Sequence, residues 1–245
     1  MFCDYIVGLD LGQTFDYTAI AILQEPVYVI KEVADHALHL DGAAGWLAPD
    51  TLSRGQREQA RAHEQQYGRP EKPVLDLRHM ERLRGLPYPR IVDRVVALLQ
   101  TPPLSEGQVA LVVDQTGVGR GVFDLFKERG IAAIGVTITA GQNVTTAPDG
   151  GLRVPKIDLI GAVDIVLTTE RLRVPRTLTE GETLAQELRT FRRRSTPSGS
   201  DQFSSWREAD HDDEVLALAL ALWWRDWYHA HLDAAAQRRQ PARAG

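Results

Sequence analysis

Cysteine is almost missing: Cys3 is the only one in 245 residues, so the chain can form no internal disulfide and no cysteine-based zinc site. Such a chain suits a reducing, intracellular setting. Long apolar runs are missing too. The longest, Val215 to Trp224, is about half of the roughly 20 residues that a bilayer span needs, and it predicts a buried helix. No basic segment precedes the first apolar run, and Asp4 and Asp10 lie within the opening residues, so the N-terminus is not read as a secretion signal. Nor is there an excess of positive charge. A formal net charge of −5 gives the whole molecule no attraction for a polyanion, and any such affinity must come from a local patch. What remains is an ordinary globular composition, 43% hydrophobic and 25% charged, long enough for one large domain or two small ones.

The chain opens with apolar runs over Tyr5–Leu11 and Thr18–Leu23, separated by Gly12-Gln13-Thr14-Phe15-Asp16, which is a strand–turn–strand pattern. Val27–Val33 follows as a third β-branched segment. Residues from about 41 to 73 turn polar, with a polar helix expected over Ser53–Gln66, and are read as an insertion in the core. Val74–Met80 alternates and returns the chain to the sheet. An apolar face over Ile91–Leu99 predicts a helix, and Val109–Val113 a strand that ends in Asp114. A helix over Val122–Arg129, a strand over Ile131–Ile138, a hairpin flanked by Gly141 and Gly150-Gly151, and helices over Lys156–Thr169, Leu184–Arg194 and Asp212 to about Leu232 complete the order. Strands first, then alternation, then a closing helix indicate an α/β chain: a mixed β-sheet flanked by helices, one domain over about 1–233 with a disordered tail over 234–245.

Two acids end apolar runs. Residues two apart on a strand share a face, so Ile6, Gly8 and Asp10 align, as do Ala110, Val112 and Asp114. Were the two strands parallel neighbours, both carboxylates would emerge side by side, and such a pair repels unless it shares a proton or a cation. Oxygen-only ligation favours Mg²⁺ or Mn²⁺. The plain alternative is that each Asp serves a turn. A third acidic group, Asp210-His211-Asp212-Asp213-Glu214, leads into the apolar helix. Helix capping accounts for one or two of these acids but less readily for all, and a helix apolar on nearly every side starts against the core. Cations lie at Lys156 and at Arg189, Arg192, Arg193 and Arg194. On their own they read as a surface lysine and a solvated helix end. His36, His39, His63 and His79 show no metal-binding spacing.

The motifs GLDLGQTFDYTAIAIL, LVVDQTGVGRGVFDLF and HDDEVLALALALWW, in this order, resemble the nuclease domain of phage terminase large subunits, which cut concatemeric viral DNA. The resemblance extends to Tyr88-Pro89-Arg90-Ile91-Val92 and Val154-Pro155-Lys156. It implies an RNase H-like sheet with strand order 3-2-1-4-5, and two divalent ions, Mg or Mn, held by Asp10, Asp114 and the Asp212–Asp213 pair, with Asp16 as an outer ligand. It also implies hydrolysis of double-stranded DNA by two-metal chemistry in the cytoplasm of a bacterial host, with no membrane. Lys156 would touch the scissile phosphate or an acid, and Arg189, Arg192, Arg193 and Arg194 the DNA backbone. A separate ATPase motor, portal or small terminase subunit would be the partners. The chain departs from that family in one respect: no G-x-x-x-x-G-K-[ST] loop occurs, so no ATPase domain is expected. The expectation is a nuclease without its motor, whether a cloned fragment, a short natural gene or a subunit served by another chain.

Two rivals share the fold. Gly8-Leu9-Asp10-Leu11-Gly12-Gln13-Thr14 also resembles the first phosphate loop of the sugar kinase, actin and Hsp70 superfamily, which binds ATP; those proteins carry two such domains. A Holliday-junction resolvase would use the same acids but cut branched DNA. A catalytically silent DNA-binding module is a third class.

Overall fold

The computed structural model describes residues 4–12, 16–25, 27–29, 45–47, 55, 73–117, 121–194 and 212–239, by backbone alone at 27–29, 45–47, 191–194 and 232–239. The strands are β1 (Tyr5–Asp10), β2 (Tyr17–Gln24), β3 (Val27–Val29), β4 (Gly45–Leu47), β5 (Leu75–Arg84), β6 (Val109–Asp114), β7 (Ala133–Thr139), β8 (Thr145–Thr146), β9 (Leu152–Pro155) and β10 (Leu172–Arg173). The helices are α1 (Tyr88–Leu99), α2 (Gly121–Glu128), α3 (Lys156–Thr168), α4 (Gly181–Arg194) and α5 (Asp213–Arg239). The helix expected over Ser53–Gln66 and most of the insertion at about 41–73 lie outside the described residues, as do residues 240–245. α5 continues past the expected end near Leu232, into what was read as tail.

Among the described residues the main sheet has the order β10-β5-β2-β1-β6-β7-β9-β8. β1 pairs antiparallel with β2, and β2 with β5, whereas β1, β6, β7 and β9 run parallel. The stretch β5-β2-β1-β6-β7 is the 3-2-1-4-5 order of an RNase H-like sheet. β3 and β4 form a separate antiparallel pair.

Helices cover both faces, which is why the central strands read as nearly unbroken apolar runs. On one face Tyr5, Val7, Leu9, Leu111 and Val113 pack against Ile91, Val92 and Val95 of α1 and Phe126 of α2. On the other, Ile6, Ala19, Ala21, Leu23 and Val112 pack against α3, Leu184 of α4 and the alternating alanines and leucines of α5.

Of all the helices, α5 determines where the acids meet. Gly8 lies directly beneath it: a Cβ there would collide with the Ala217 carbonyl oxygen and stand 3.2 Å from the Ala221 nitrogen. Small residues on the helix and none on the strand let the two backbones touch. The direction of α5 is fixed at both ends. Glu214 lies near Arg82, in the row of Asp10, while Arg225 pairs at 2.8 Å with Glu25, just beyond the row of Tyr5. The helix therefore starts at the Asp10 edge and runs back along β1.

A methyl group at Gly8 has only backbone to displace. Gly8→Ala is expected to cost about 1–3 kcal/mol or more, read as a lower urea midpoint; an unchanged midpoint would contradict this packing.

Candidate active site

Asp10 and Asp114 are the last residues of β1 and β6. Leu9 pairs with Val113 and Gly8 with Val112, so the next row brings Asp10 beside Asp114, on strands about 4.8 Å apart. Both point to the α5 side, since Ile6 and Val112 on the same faces belong to that core. They are 8% and 3% exposed, a depth at which carboxylates are ordinarily paired.

Asp114 is oriented by the turn that follows it. Its Oδ1 accepts from the Thr116 backbone N–H at 2.8 Å and from the Thr116 hydroxyl. The Thr116 oxygen in turn accepts from the Ile138 N–H of β7 at 2.9 Å. One carboxylate oxygen is thus bound to the neighbouring strand through Thr116. On the β1 side, Gly12 closes the hairpin: its N–H donates to the Thr18 hydroxyl at 3.1 Å, and a Cβ would collide with the Tyr17 carbonyl oxygen.

The start of α5 decides how its acids are used. The Leu216 N–H donates to the Asp212 carbonyl at 2.9 Å, which makes Asp212 the N-cap residue. An N-cap side chain ordinarily accepts from the second and third helical amides, here those of Glu214 and Val215. Both donate instead to Glu187 Oε2 of α4, at 3.0 and 3.2 Å. The capping reading of the acidic run therefore loses its main support, because another helix supplies the cap. Asp213, Ala217 and Ala221 recur every fourth residue, and the latter two face Gly8, so Asp213 lies on the strand-facing line of α5, toward Asp10. Asp212 precedes that line. Both are half-buried.

Beneath this helix start lies a group that the sequence pattern did not reveal. Arg82 of β5 aligns through Ala19 with Asp10. Its guanidinium lies 4.0 Å from Glu187 and 3.9 Å from Glu214, which is fully buried. Burial is the largest influence on both carboxyls, and each lies in the other's field or in that of further acids. Glu214 is pushed up to about 8 by burial, Glu187 and Glu180, with Arg82 opposing. Glu187 is pushed up to about 7 by burial and Asp213, against the two amides and Arg82.

The remaining expected residues are more dispersed. Lys156 is half-buried at the start of α3, directly after Pro155, which pairs with Thr139 at the end of β7; it emerges at the same sheet edge as the acids. Asp16 is exposed beside the β1–β2 turn at that edge. Arg189 is exposed on α4, two residues from Glu187 and hence on the opposite side of that helix. Arg192, Arg193 and Arg194 close α4, with side chains outside the described residues. The acids supply hard oxygen donors of the kind Mg²⁺ or Mn²⁺ takes. Yet among the described residues no group of three or more His, Cys, Asp or Glu side chains stands arranged to hold an ion. The donor types and their common edge fit a divalent ion.

No protein-family profile matches the chain, and no curated protein is recognisably similar in sequence. Among solved structures, the fold is similar to the large terminase nuclease from thermophilic phage G20c, at 18% identity and a TM-score of 0.44, over 89% of this chain and 81% of that one. The same nuclease with bound magnesium gives 18% and 0.46, over 90% and 80%. The large terminase from a second thermophilic bacteriophage gives 12% and 0.45, over 92% of this chain but only 40% of that one. These are likenesses of fold. No described helix is long and apolar enough to cross a membrane.

The raised carboxyls carry a sign. A folded pKa above the ordinary 4.5 means that the native state holds the proton more tightly. The associated stability is complete below about 4.5 and is lost as pH rises through about 7 to 8. In chelator-treated protein, Glu214→Gln is expected to gain melting temperature relative to wild type from about pH 5 to about pH 9. A constant difference across that range would show that Glu214 does not titrate in this way.

Proposed function

We propose that this chain is a divalent-metal-dependent DNA endonuclease that hydrolyses phosphodiesters at the edge shared by β1, β6 and the start of α5. The observation that carries the reading is the row itself. Asp10 and Asp114 end adjacent parallel strands in register and on one face, nearly buried, beneath the acidic start of α5. Two carboxylates so placed share a proton or a cation, and their hard oxygen donors suit Mg²⁺ or Mn²⁺. The three-motif resemblance to terminase nucleases agrees with this.

In this reading Asp10, Asp114 and Asp213 hold Mg²⁺ or Mn²⁺, with Asp212 flanking them and Asp16 at the rim. When bound, two such ions supply the Lewis acidity that in-line phosphodiester hydrolysis requires. The protein's own contribution is positional. Thr116 holds one oxygen of Asp114 and so fixes the orientation of the carboxylate. Glu187 takes the two helix amides, so the acids at the start of α5 need not cap it. Lys156, at the same edge, offers a cation to a substrate phosphate. The arginines of α4 extend that contact along the duplex. Cutting is the proposed activity; translocation is not.

Supercoiled plasmid with Mn²⁺ or Mg²⁺ is the test. Wild type is expected to nick and linearise it, and Asp114→Ala to do neither. Asp213→Ala should lose more activity than Asp212→Ala. In parallel, Mn²⁺ should raise the melting temperature of wild type but not of Asp10→Ala, because only the native site binds the ion. Equal nicking by wild type and Asp114→Ala would sink the reading. A junction-selective enzyme would instead spare the plasmid and cut a four-way junction.

A further inference from the structure

The resemblance implies phosphate contacts on α4, but the sheet carries another cation beside the acids. Tyr17 and Arg84 are paired at the outer ends of β2 and β5, one step beyond the row of Asp10, Ala19 and Arg82. Arg82 and Arg84 are two residues apart on one strand and so share a face. Both lie over the Tyr17 ring, their guanidinium carbons 3.8 and 5.0 Å from its centre. Arg84 Nη1 also donates to the Tyr17 hydroxyl at 3.3 Å.

The two arginines differ in their surroundings. Arg82 is drawn inward, toward Glu187 and Glu214. Arg84 is exposed, and among the described residues no carboxylate pairs with it. A guanidinium resting on an aromatic ring gains about 0.5–1 kcal/mol at an exposed site, and its rotamers are narrowed while its remaining N–H groups stay available. That is the geometry for gripping a phosphate, which suits the planar fork of arginine. Two strand spacings separate β5 from β1, about 10 Å, and Arg84 lies two residues further along, roughly 12 Å from Asp10 in all. Such a reach takes Arg84 past the phosphate being cut to a flanking one.

Resting on the nuclease reading, we propose that Arg84, braced by Tyr17, binds a backbone phosphate of the DNA strand flanking the acid site. The contact is independent of base sequence and sensitive to salt. It gives the acidic edge a local cation that the net charge of the chain does not.

Fluorescence anisotropy of a labelled linear duplex, with Ca²⁺ in place of Mg²⁺ and over a KCl series, tests this for wild type, Arg84→Ala, Arg84→Glu, Tyr17→Phe and Tyr17→Leu. Arg84→Ala is expected to bind several-fold more weakly with a salt slope smaller by about one, and Arg84→Glu more weakly still. Tyr17→Phe keeps the ring but loses the hydroxyl, and is expected to fall between wild type and Arg84→Ala. Unchanged affinity and slope in both Arg84 variants overturn the proposal, even where wild type cuts plasmid. Loss in the Arg84 variants with Tyr17→Leu at the wild-type level overturns the bracing, whereas Tyr17→Phe at that level assigns it to the ring alone. A wild type that shows Arg84-dependent binding yet cuts nothing overturns the nuclease reading and leaves this contact intact. A wild type that binds no duplex overturns both.

Discussion

The contact between α5 and Gly8 is the constraint on which the rest of the structure depends. Without a side chain on β1, the helix backbone rests on the strand itself, and Ala217 and Ala221 complete a seam of minimal bulk. That closeness brings the helix start within the layer of the strand acids. A larger residue would lift α5 and separate the carboxylates before it altered any of them. The core on this face, with its alanines and leucines all but fully buried, therefore serves position as much as stability.

The acids at the site are arranged in two tiers with different tasks. Asp10, Asp114 and Asp213 form the tier that looks into the edge. Behind them, buried Glu187 and Glu214 and half-buried Arg82 hold the helix start from beneath. A carboxylate that accepts two helix amides does the work of an N-cap from another element, and it lies where the positive end of the helix dipole favours it. Burial nevertheless keeps Glu187 and Glu214 well above the usual carboxylate range.

How much of this could be read in the sequence followed from what is local. Asp10 and Asp114 stood out because each ends an apolar run, and strand alternation alone assigned them a face. Their adjacency rested on one topological supposition, that β1 and β6 are parallel neighbours, and the sheet order bears this out. The acidic start of α5 was legible for the same reason. Glu187 was not. It falls between Leu184 and Leu188 on the inner side of α4, and a lone acid in such a face looks like a rim residue until the partner helix is present. Arg82 and Arg84 were equally hidden, because cross-strand register is a property of two segments far apart in the chain. The proposal of Asp213 over Asp212 rests on helix phase relative to Gly8, which neither residue reports by itself.

The far end of α5 has a mechanical consequence. Glu25 and Arg225 are both almost fully buried, joined at 2.8 Å, with His229 on the other oxygen of Glu25 at 2.9 Å. A buried ion pair of this kind adds little net stability, but breaking it strands a charge in the interior. Sliding the helix by one turn, about 5.4 Å, would do that here while also pulling the opposite end away from Glu187. α5 is thus a strut with a fixed length between two charged stops. The phase of its first residues over the sheet is set partly at Arg225, about 18 Å along the axis.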